Sequence, residues 1–591
     1  MRPTAATLGM LSALLVTLPA CATDEAEIED GEYDVFPDGK ADGGFAEGSV
    51  EALGVLAMVN DAGTTASSLK SGARVTTRVA TNIVQHRDGA DATFGTADDD
   101  RYDTLRELDG IPYVGPAALH ALVDHARNLG FIRDGVRIEV VFSPQPGDLS
   151  HNARIAQLIR GAQHSVDIAI YSYSDAAIAS ALTDATTRGV AVRFLFETAK
   201  DDKGVTDPTA RAATKSGRLE AAGIDVRYVN KILHHKFAII DGPRDVADRA
   251  ASARLVSGSA NWSSAAGTLY DENTFLIEHS AELAAAFQHE FDALWLGSRD
   301  FTGPAAAQGQ STVQITPAMV ADEPGVGLLL TRANFTPTGS DGTTWRVDDT
   351  KLAVSDQFVA AIARAESSIY IGSGHMRLRP LAEALIAKKQ ANPAIDIRVY
   401  LDQQEYISAL GDTEQRAEVD ACLAAATTPA AERGCLYNDF LFSKSLVDAG
   451  IELRFKSYAY RWDHTYAVQM HSKYMIVDGT ELLSGSYNLS MNAEHNSFEN
   501  ALHVSGPALA PVVSAFQANF MTMWEIGRAQ GLLATVRDQI ATAASIPLVF
   551  PSMALTYAEL DDLKSLILTN CPVADSDEYK SNPGAHKVCP R

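Results

Sequence analysis

Apolar and polar positions change rhythm several times along the chain, and those changes divide it. Val166-Asp-Ile-Ala-Ile-Tyr-Ser is a strand-like run, Ala176 to Thr187 has helical spacing, and Val190 to Phe196 is strand-like again. Ser368-Ile-Tyr-Ile-Gly-Ser, Leu381 to Lys389 and Ile395 to Leu401 repeat that order. Apolar strands alternating with helices predict crossover units and a parallel or mixed sheet buried on both faces. The two stretches close alike: Ala286-Phe-Gln-x-x-Phe291-x-x-x-Trp295 matches Ala515-Phe-Gln-x-x-Phe520-x-x-x-Trp524. That spacing puts Phe and Trp on one helix face against a core. The chain therefore reads as two related α/β halves, at 136–300 and 346–530, joined by a connection at 301–345.

The flanks read differently. From 49 to 135 the pattern is helical and short-looped, which predicts a small all-α domain. Within it, Leu105, Leu108, Ile111 and Val114 surround Gly110-Ile-Pro-Tyr-Val-Gly115, and Ala118 to Leu129 continues at helical spacing. This stretch resembles a helix-hairpin-helix motif, with Ser71 to Gln85 as a degenerate partner. Such a hairpin lets glycine backbone N–H groups and a helix N-terminus approach a phosphate. A plain helical packing domain is the competing reading, because Glu51 to Asp134 holds 12 acidic and 8 basic residues. DNA clamps carry the opposite balance. The Asp88 to Asp100 run fits no EF-hand spacing and reads as a solvated loop. The tail at 531–591 reads as a small appendage stapled by cysteines.

Composition narrows the class. A chain of 591 residues with 46% hydrophobic and 21% charged residues is a multidomain globular protein. A net charge of −26 argues against nonspecific attraction to polyanions. Arg2, the apolar run Leu8 to Leu18 and Leu18-Pro19-Ala20-Cys21 read as an export signal at 1–21, too short to span a bilayer permanently. The last four residues resemble a bacterial lipobox that lipidates Cys21; ordinary secretory cleavage is the alternative, since Pro19 departs from the usual small residue. Either way the protein is expected to be exported, as a periplasmic or outer-membrane lipoprotein or in secreted form. The acidic, Gly-rich segment 22–48 reads as a disordered tether. In an oxidising compartment Cys422 with Cys435, and Cys571 with Cys589, form local pairs suited to disulfides.

The chemistry lies in a motif present twice. The first half contains His234-His-Lys236, Asp241, Gly258-Ser259-Ala-Asn261 and Glu272; the second contains His471-Ser-Lys473, Asp478, Gly485-Ser486-Tyr-Asn488 and Glu499. Ser to Glu is thirteen positions in both, and the first half's ten extra residues all lie between Asp241 and Gly258. His and Lys two apart on a strand project to one face. Lys offers a point charge to phosphoryl oxygens, and the Ser and Asn side chains are short hydrogen-bonding groups suited to the same oxygens. Each Glu is placed to accept from the imidazole of its own half. His235, beside His234, should face away, into packing or solvent.

These residues resemble the HKD motifs of the phospholipase D superfamily, over about Arg137 to Arg528. The resemblance implies two α/β halves with mixed sheets packed face to face around one active site, within a single chain and hence a monomer. It implies a phosphodiesterase that needs no metal or cofactor. His234 would attack phosphorus to give a phosphohistidine, and His471 would serve as acid and base, an assignment that is reversible. Lys236 and Lys473, with Ser259, Asn261, Ser486 and Asn488, would stabilise the transition-state charge, and Asp241 and Asp478 would act behind the site. A phospholipid is the expected substrate, given export and membrane association through Cys21. DNA or RNA is the alternative through the hairpin-like domain, and a surface binding protein without catalysis is the third reading. An insertion in the second half, Tyr458, Tyr460, Arg461, Trp462 and Tyr466, suits a lipid headgroup wall, a base-stacking surface or a packed hairpin equally.

Overall fold

The computed structural model describes residues 45–591 except 46, 48, 133–134, 303–307, 317 and 321–322. The expected signal with Cys21 and nearly all of the 22–48 tether lie outside the described residues. The chain divides into two compact units, Met1–Asp134 and Gly135–Arg591.

In the first unit, α1 (Val50–Val59), α2 (Thr77–Arg87), α3 (Leu105–Gly110) and α4 (Pro116–Asn128) surround a core that includes Val55, Leu69, Ile83, Leu108 and Leu122. Ser49, Thr76 and Thr104 cap the first three by accepting from backbone N–H groups. Two similar turns lead into α2 and α4, each with a left-handed residue two before the cap: Arg74 (φ 56°) and Tyr113 (φ 75°). Gly115 is the extended N-cap of α4, and a Cβ at Gly110 or Gly115 would meet open space. In the Asp88 to Asp100 loop, Asp98 accepts from Ala90 and Asp91 N–H and Asp99 from Gly95 N–H.

The second unit holds two eight-stranded mixed sheets. Strands β1 (Arg137–Ser143), β2 (Ser165–Ile170), β3 (Ala191–Phe196), β4 (Asp225–Tyr228), β5 (Lys236–Ile240), β6 (Arg254–Gly258), β7 (Glu272–Glu278) and β8 (Arg299–Asp300) form the first, in the order β1-β7-β6-β5-β2-β3-β4-β8. The second contains β9 (Val326–Leu330), β10 (Ser368–Ser373), β11 (Asp396–Asp402), β12 (Glu452–Ala459), β13 (Lys473–Val477), β14 (Glu481–Gly485), β15 (Asn500–Ser505) and β16 (Val549–Thr556). Its order, β9-β15-β14-β13-β10-β11-β12-β16, repeats the first strand for strand. In each, three neighbours are parallel and the rest antiparallel. Crossover helices α5 (Ala176–Thr187) and α7 (Arg379–Ala391) link the first parallel pair of each sheet; α6 (Ala281–Leu296) and α8 (Ala510–Trp524) carry the repeated Phe/Trp pattern.

Period-two alternation assigns side chains to layers. Val166, Ile168 and Ile170 enter the first half's outer core, whereas Ala169, Phe237 and Ile239 face inward. The inner core is common to both halves: Phe275, Phe291 and Trp295 share it with Tyr474, Phe516 and Trp524. Phe516 of α8 packs against Phe142 and Phe275 of the first sheet, at 4.9 and 5.5 Å between ring centroids. The sheets thus face each other across one continuous apolar layer, which fixes the halves as a single body.

The segment read as a tail is part of the second half. β16 pairs with β12, and α9 (Leu532–Thr542) and α10 (Tyr557–Asn570) send Val536, Ile540, Leu560, Leu563 and Ile567 into its outer core. Cys571 is bonded to Cys589, and Cys422 to Cys435.

Candidate active site

Each histidine stands where its chain crosses to the other half. Ile232-Leu233 pairs in parallel with Ser497-Phe498, and Asp271 bridges Met470. His234 N–H donates to the Phe498 carbonyl at 3.1 Å, and His471 N–H to the Asp271 carbonyl at 3.0 Å. The next residues along the bridges are Glu499 and Glu272. This register corrects the expectation that each glutamate serves its own half. His234 Nδ1 lies 2.9 Å from Glu499, and His471 Nδ1 lies 2.5 Å from Glu272. The cause is the pairing itself: a glutamate opening β7 or just before β15 faces the seam, and the imidazole nearest to it belongs to the opposite half. The two motif sets therefore interlock into one site.

Lys236 and Lys473 begin β5 and β13 and curl back, each donating from Nζ to the carbonyl of its own motif histidine. Both ammonium groups are almost fully buried. Asp241 and Asp478 lie at the far ends of these strands in left-handed conformation (φ 54° and 52°). Asp241 accepts from the backbone N–H groups of Gln163, His164 and Ser165, and Asp478 from those of Glu366, Ser367 and Ser368. They pin the loops entering β2 and β10, a strand's length from the imidazoles.

The serines have a different place from the one expected. Ser486 Oγ donates to Glu499 at 2.7 Å and accepts from Asn500 N–H, and Ser259 Oγ accepts from Asn273 N–H. They brace the glutamates and the strand starts. The asparagines differ: the Oδ1 atoms of Asn261 and Asn488 are buried and make no hydrogen bond among the described residues. His235 is fully buried, its ring between Asn500 (3.1 Å) and Glu290 (3.3 Å). It is a polar seam residue, and the solvent-facing option falls away.

Burial and crowded positive charge govern the electrostatics. His234 is held well below the ordinary imidazole value by desolvation, then by Lys236, Lys473 and His471. His471 is pushed down to about 4, by burial first and Lys473 next, against Glu272. Burial also lowers Lys236 to about 7 and lowers Lys473. The glutamates diverge. Burial raises Glu272, but His471 and Lys473 outweigh it and keep the carboxylate low. Burial raises Glu499 to about 8 despite Lys236 and Ser486. At neutral pH both imidazoles are thus neutral, and Glu272 alone of the two glutamates is fully ionised. With Nδ1 engaged, each Nε2 is left to meet a substrate.

Two further carboxylates escaped the sequence reading. Glu197, just after β3, accepts from Leu233 N–H at 2.7 Å, and Asp402, ending β11, accepts from Met470 N–H at 3.0 Å. Each holds the residue preceding a motif histidine. Superposing the strand repeats reveals them, since Glu197 and Asp402 stand one position past residues paired to the ends of β2 and β10. Tyr171, exposed at the mouth, packs edge-on against His234 with ring centroids 4.8 Å apart. The aromatic insertion packs instead: Tyr458 bonds Asp402, Tyr460 is buried, Arg461 pairs with Asp575, and Tyr466 bonds the Arg461 carbonyl. Trp462 is its one large aromatic exposed among these residues.

Residues 155–295 and 358–524, together just over half of the chain, match the family model described as cardiolipin synthase, PLD-like domain. Both motif sets fall inside these ranges. Similar curated proteins include the mitochondrial cardiolipin hydrolase of Xenopus tropicalis, 30% identical over 154 residues, 26% of this chain and 64% of that protein. The enzyme of the same name from Danio rerio is 32% identical over 149 residues, 25% of this chain and 57% of that protein. The chain thus spans less than two thirds of these relatives' length. Among solved structures, the phospholipase D family member Nuc from Salmonella typhimurium is 18% identical, covering 34% of this chain and 93% of its own, with TM-score 0.21. Phosphatidylserine synthase from Haemophilus influenzae Rd KW20 is 13% identical, covering 73% and 92%, with TM-score 0.42.

Proposed function

The chain belongs to the phospholipase D superfamily, and from that premise we propose that it is a phosphodiesterase that cleaves or transfers phosphatidyl groups through a phosphohistidine. The observation that carries this reading is the crossed pairing, which sets two imidazoles at one site with a glutamate behind each. In the first step His234 Nε2 forms a bond to phosphorus while the P–O bond to the leaving alcohol breaks, and His471 gives that oxygen its proton. In the second, water attacks phosphorus, His471 takes the water's proton, and the P–N bond breaks. An acceptor alcohol in place of water gives transfer.

The unequal glutamates support this division of labour. Ionised Glu272 stabilises the imidazolium that an acid/base His471 must form, whereas His234 and Glu499 form a neutral couple suited to attack. Lys236, Lys473 and the Nδ2 donors of Asn261 and Asn488 are the groups suited to phosphoryl oxygens. His471 must gain a proton before it can act as an acid; the negative charge of a bound diester offsets Lys236 and Lys473 and raises its affinity for one.

The relatives named for cardiolipin chemistry favour a phospholipid substrate, as does the proposed export and anchoring at Cys21. A nuclease is the second reading, favoured by the paired turns at Arg74 and Tyr113, where Tyr113 is exposed beside open glycines. Purified protein is to be given phospholipid vesicles and, separately, plasmid DNA, with chelator present. Phospholipid hydrolysis or headgroup exchange is expected, and its loss in His234→Ala and His471→Ala. Cleavage of DNA alone would reject the lipid assignment.

A further inference from the structure

The two seams are anchored by different chemistry. The residue before each motif glutamate supplies the carbonyl that receives the histidine N–H of the other half; it is Phe498 for His234 and Asp271 for His471. Phe498 packs its ring against Phe335 and Trp345, at 4.9 and 5.2 Å between centroids. Asp271 instead pairs with Lys456 Nζ of β12 at 2.8 Å, and both side chains are buried. The Asp271 carbonyl also accepts from Ser472 Oγ at 3.2 Å, and its N–H donates to the Gln469 carbonyl at 2.9 Å. Asp271 belongs to the first half and Lys456 to the second. The ion pair therefore ties the strand start that carries Glu272 to the sheet that carries His471.

Strand register shows that the difference extends beyond one pair. Tyr400 and Leu195 hold matching positions on β11 and β3, and Tyr474 and Phe237 on β13 and β5. Lys456 and Val229 each lie two residues beyond matched positions on β12 and β4. Leu195, Val229, Phe237 and Phe498 are apolar and at most 1% exposed. At the same four positions the other seam has Tyr400, Lys456, Tyr474 and Asp271. A lone buried charge would be strongly unfavourable, but here charge and counter-charge enter together from opposite halves. Burial raises Asp271, and Lys456 opposes the rise. Burial holds the Tyr400 and Tyr474 phenols well above their ordinary value and Asp271 adds to it, so its carboxylate lies close to both. Asp402, the strand neighbour of Lys456, is raised by burial to about 6 and is ionised at neutral pH. The cluster beside Glu272 thus sets two carboxylates against one ammonium, a balance that favours the imidazolium form of His471. The matching apolar positions beside Glu499 supply no such charge.

We infer that Asp271 and Lys456 are positioning residues that make His471, rather than His234, the acid and base: they hold Glu272 in register against it and surround that couple with buried charge. The inference rests on the phosphodiesterase reading above. Leaving-group dependence separates this role from plain bracing of the seam. Bis(4-nitrophenyl) phosphate releases a stabilised phenolate that needs no proton. Diphenyl phosphate releases a phenoxide that takes its proton from His471, as the P–O bond breaks and the bond from His234 Nε2 to phosphorus forms. For both, kcat/KM reports the passage to that transition state from free enzyme and substrate. Asp271→Asn/Lys456→Met removes both charges together and leaves neither unpaired, so the full chain should fold, checked by thermal melting. It should lose about tenfold or more in kcat/KM for diphenyl phosphate, a part of what a general acid contributes, and less than about threefold for the nitrophenyl diester. Asp271→Asn alone keeps the side chain's shape and an acceptor for Lys456; as a second variant it should show the same split, several-fold. Val229→Ala, which loosens packing at the matched position of the apolar seam, should leave the ratio of the two substrates unchanged. Equal losses for the two substrates in the charge variants, or no loss, would overturn the inference. No turnover of the nitrophenyl diester by the unaltered protein would strike the proposed function and this inference with it, a result distinct from turnover with equal losses.

Discussion

Lys236 begins to lose its proton at about pH 7 in this site, because burial removes the water that would stabilise an ammonium. Its charge is present below that value and is lost as pH rises through it. The profile of kcat/KM, which reports the free enzyme, should therefore fall on the alkaline side from about 7. Lys236→Arg keeps a charged group at all working pH, so its limb should move upward even as the maximum drops. An unmoved limb would assign that titration elsewhere. The crossed pairs give a second expectation. Glu272→Gln should cost about 10²-fold or more in kcat, by analogy with loss of the carboxylate from a catalytic triad. In the NMR spectrum it should shift the His471 ring resonances and leave those of His234 close to their original positions. The reverse would restore the within-half pairing. The motif residues themselves were legible, because a repeat with matched Ser to Glu spacing exposes them. Their partners were not. Spacing along one chain cannot distinguish a glutamate facing its own histidine from one facing across a seam, and only the Phe498 and Asp271 bridges settle it.

Among elements, β16 was the least visible in the sequence. Val549-Phe-Pro-Ser-Met-Ala-Leu-Thr556 carries Pro551 and Ser552 where apolar alternation would continue, and its register with β12 shifts between Ser457 and Ala459. An edge strand tolerates proline because one side has no ladder to feed. The repeat offered a hint, since β8 occupies the same edge of the first sheet, but that strand has two residues and leaves little signal. Removing 531–591 should consequently do more than shorten a tail. It strips the edge from β12 and exposes the outer core that α9 and α10 cover. The truncated chain should be insoluble or lack cooperative melting; a soluble, active 1–530 protein would show that the segment is dispensable. The crossover helices and central strands were legible for the opposite reason. Their apolar runs are continuous, and both halves repeat them.

At the scale of the molecule, two sheets of the same strand order share one apolar layer, and the reactive groups lie on the seam between them. The halves cannot act separately, because each imidazole takes its carboxylate from the other. The face-to-face architecture was implied by the resemblance of the repeated motif to the phospholipase D superfamily, and the crossed pairing was not, since it depends on register across the seam. The proposed mechanism needs a single site in which His234 is the nucleophile and His471 the acid and base. Mass-spectrometric mapping of the full-length His471→Ala protein, quenched under alkaline conditions after mixing with bis(4-nitrophenyl) phosphate, whose leaving group needs no proton from His471, is the test. A phosphoryl adduct on His234, absent from His234→Ala, is predicted. An adduct on another residue, or none on His234, would contradict it.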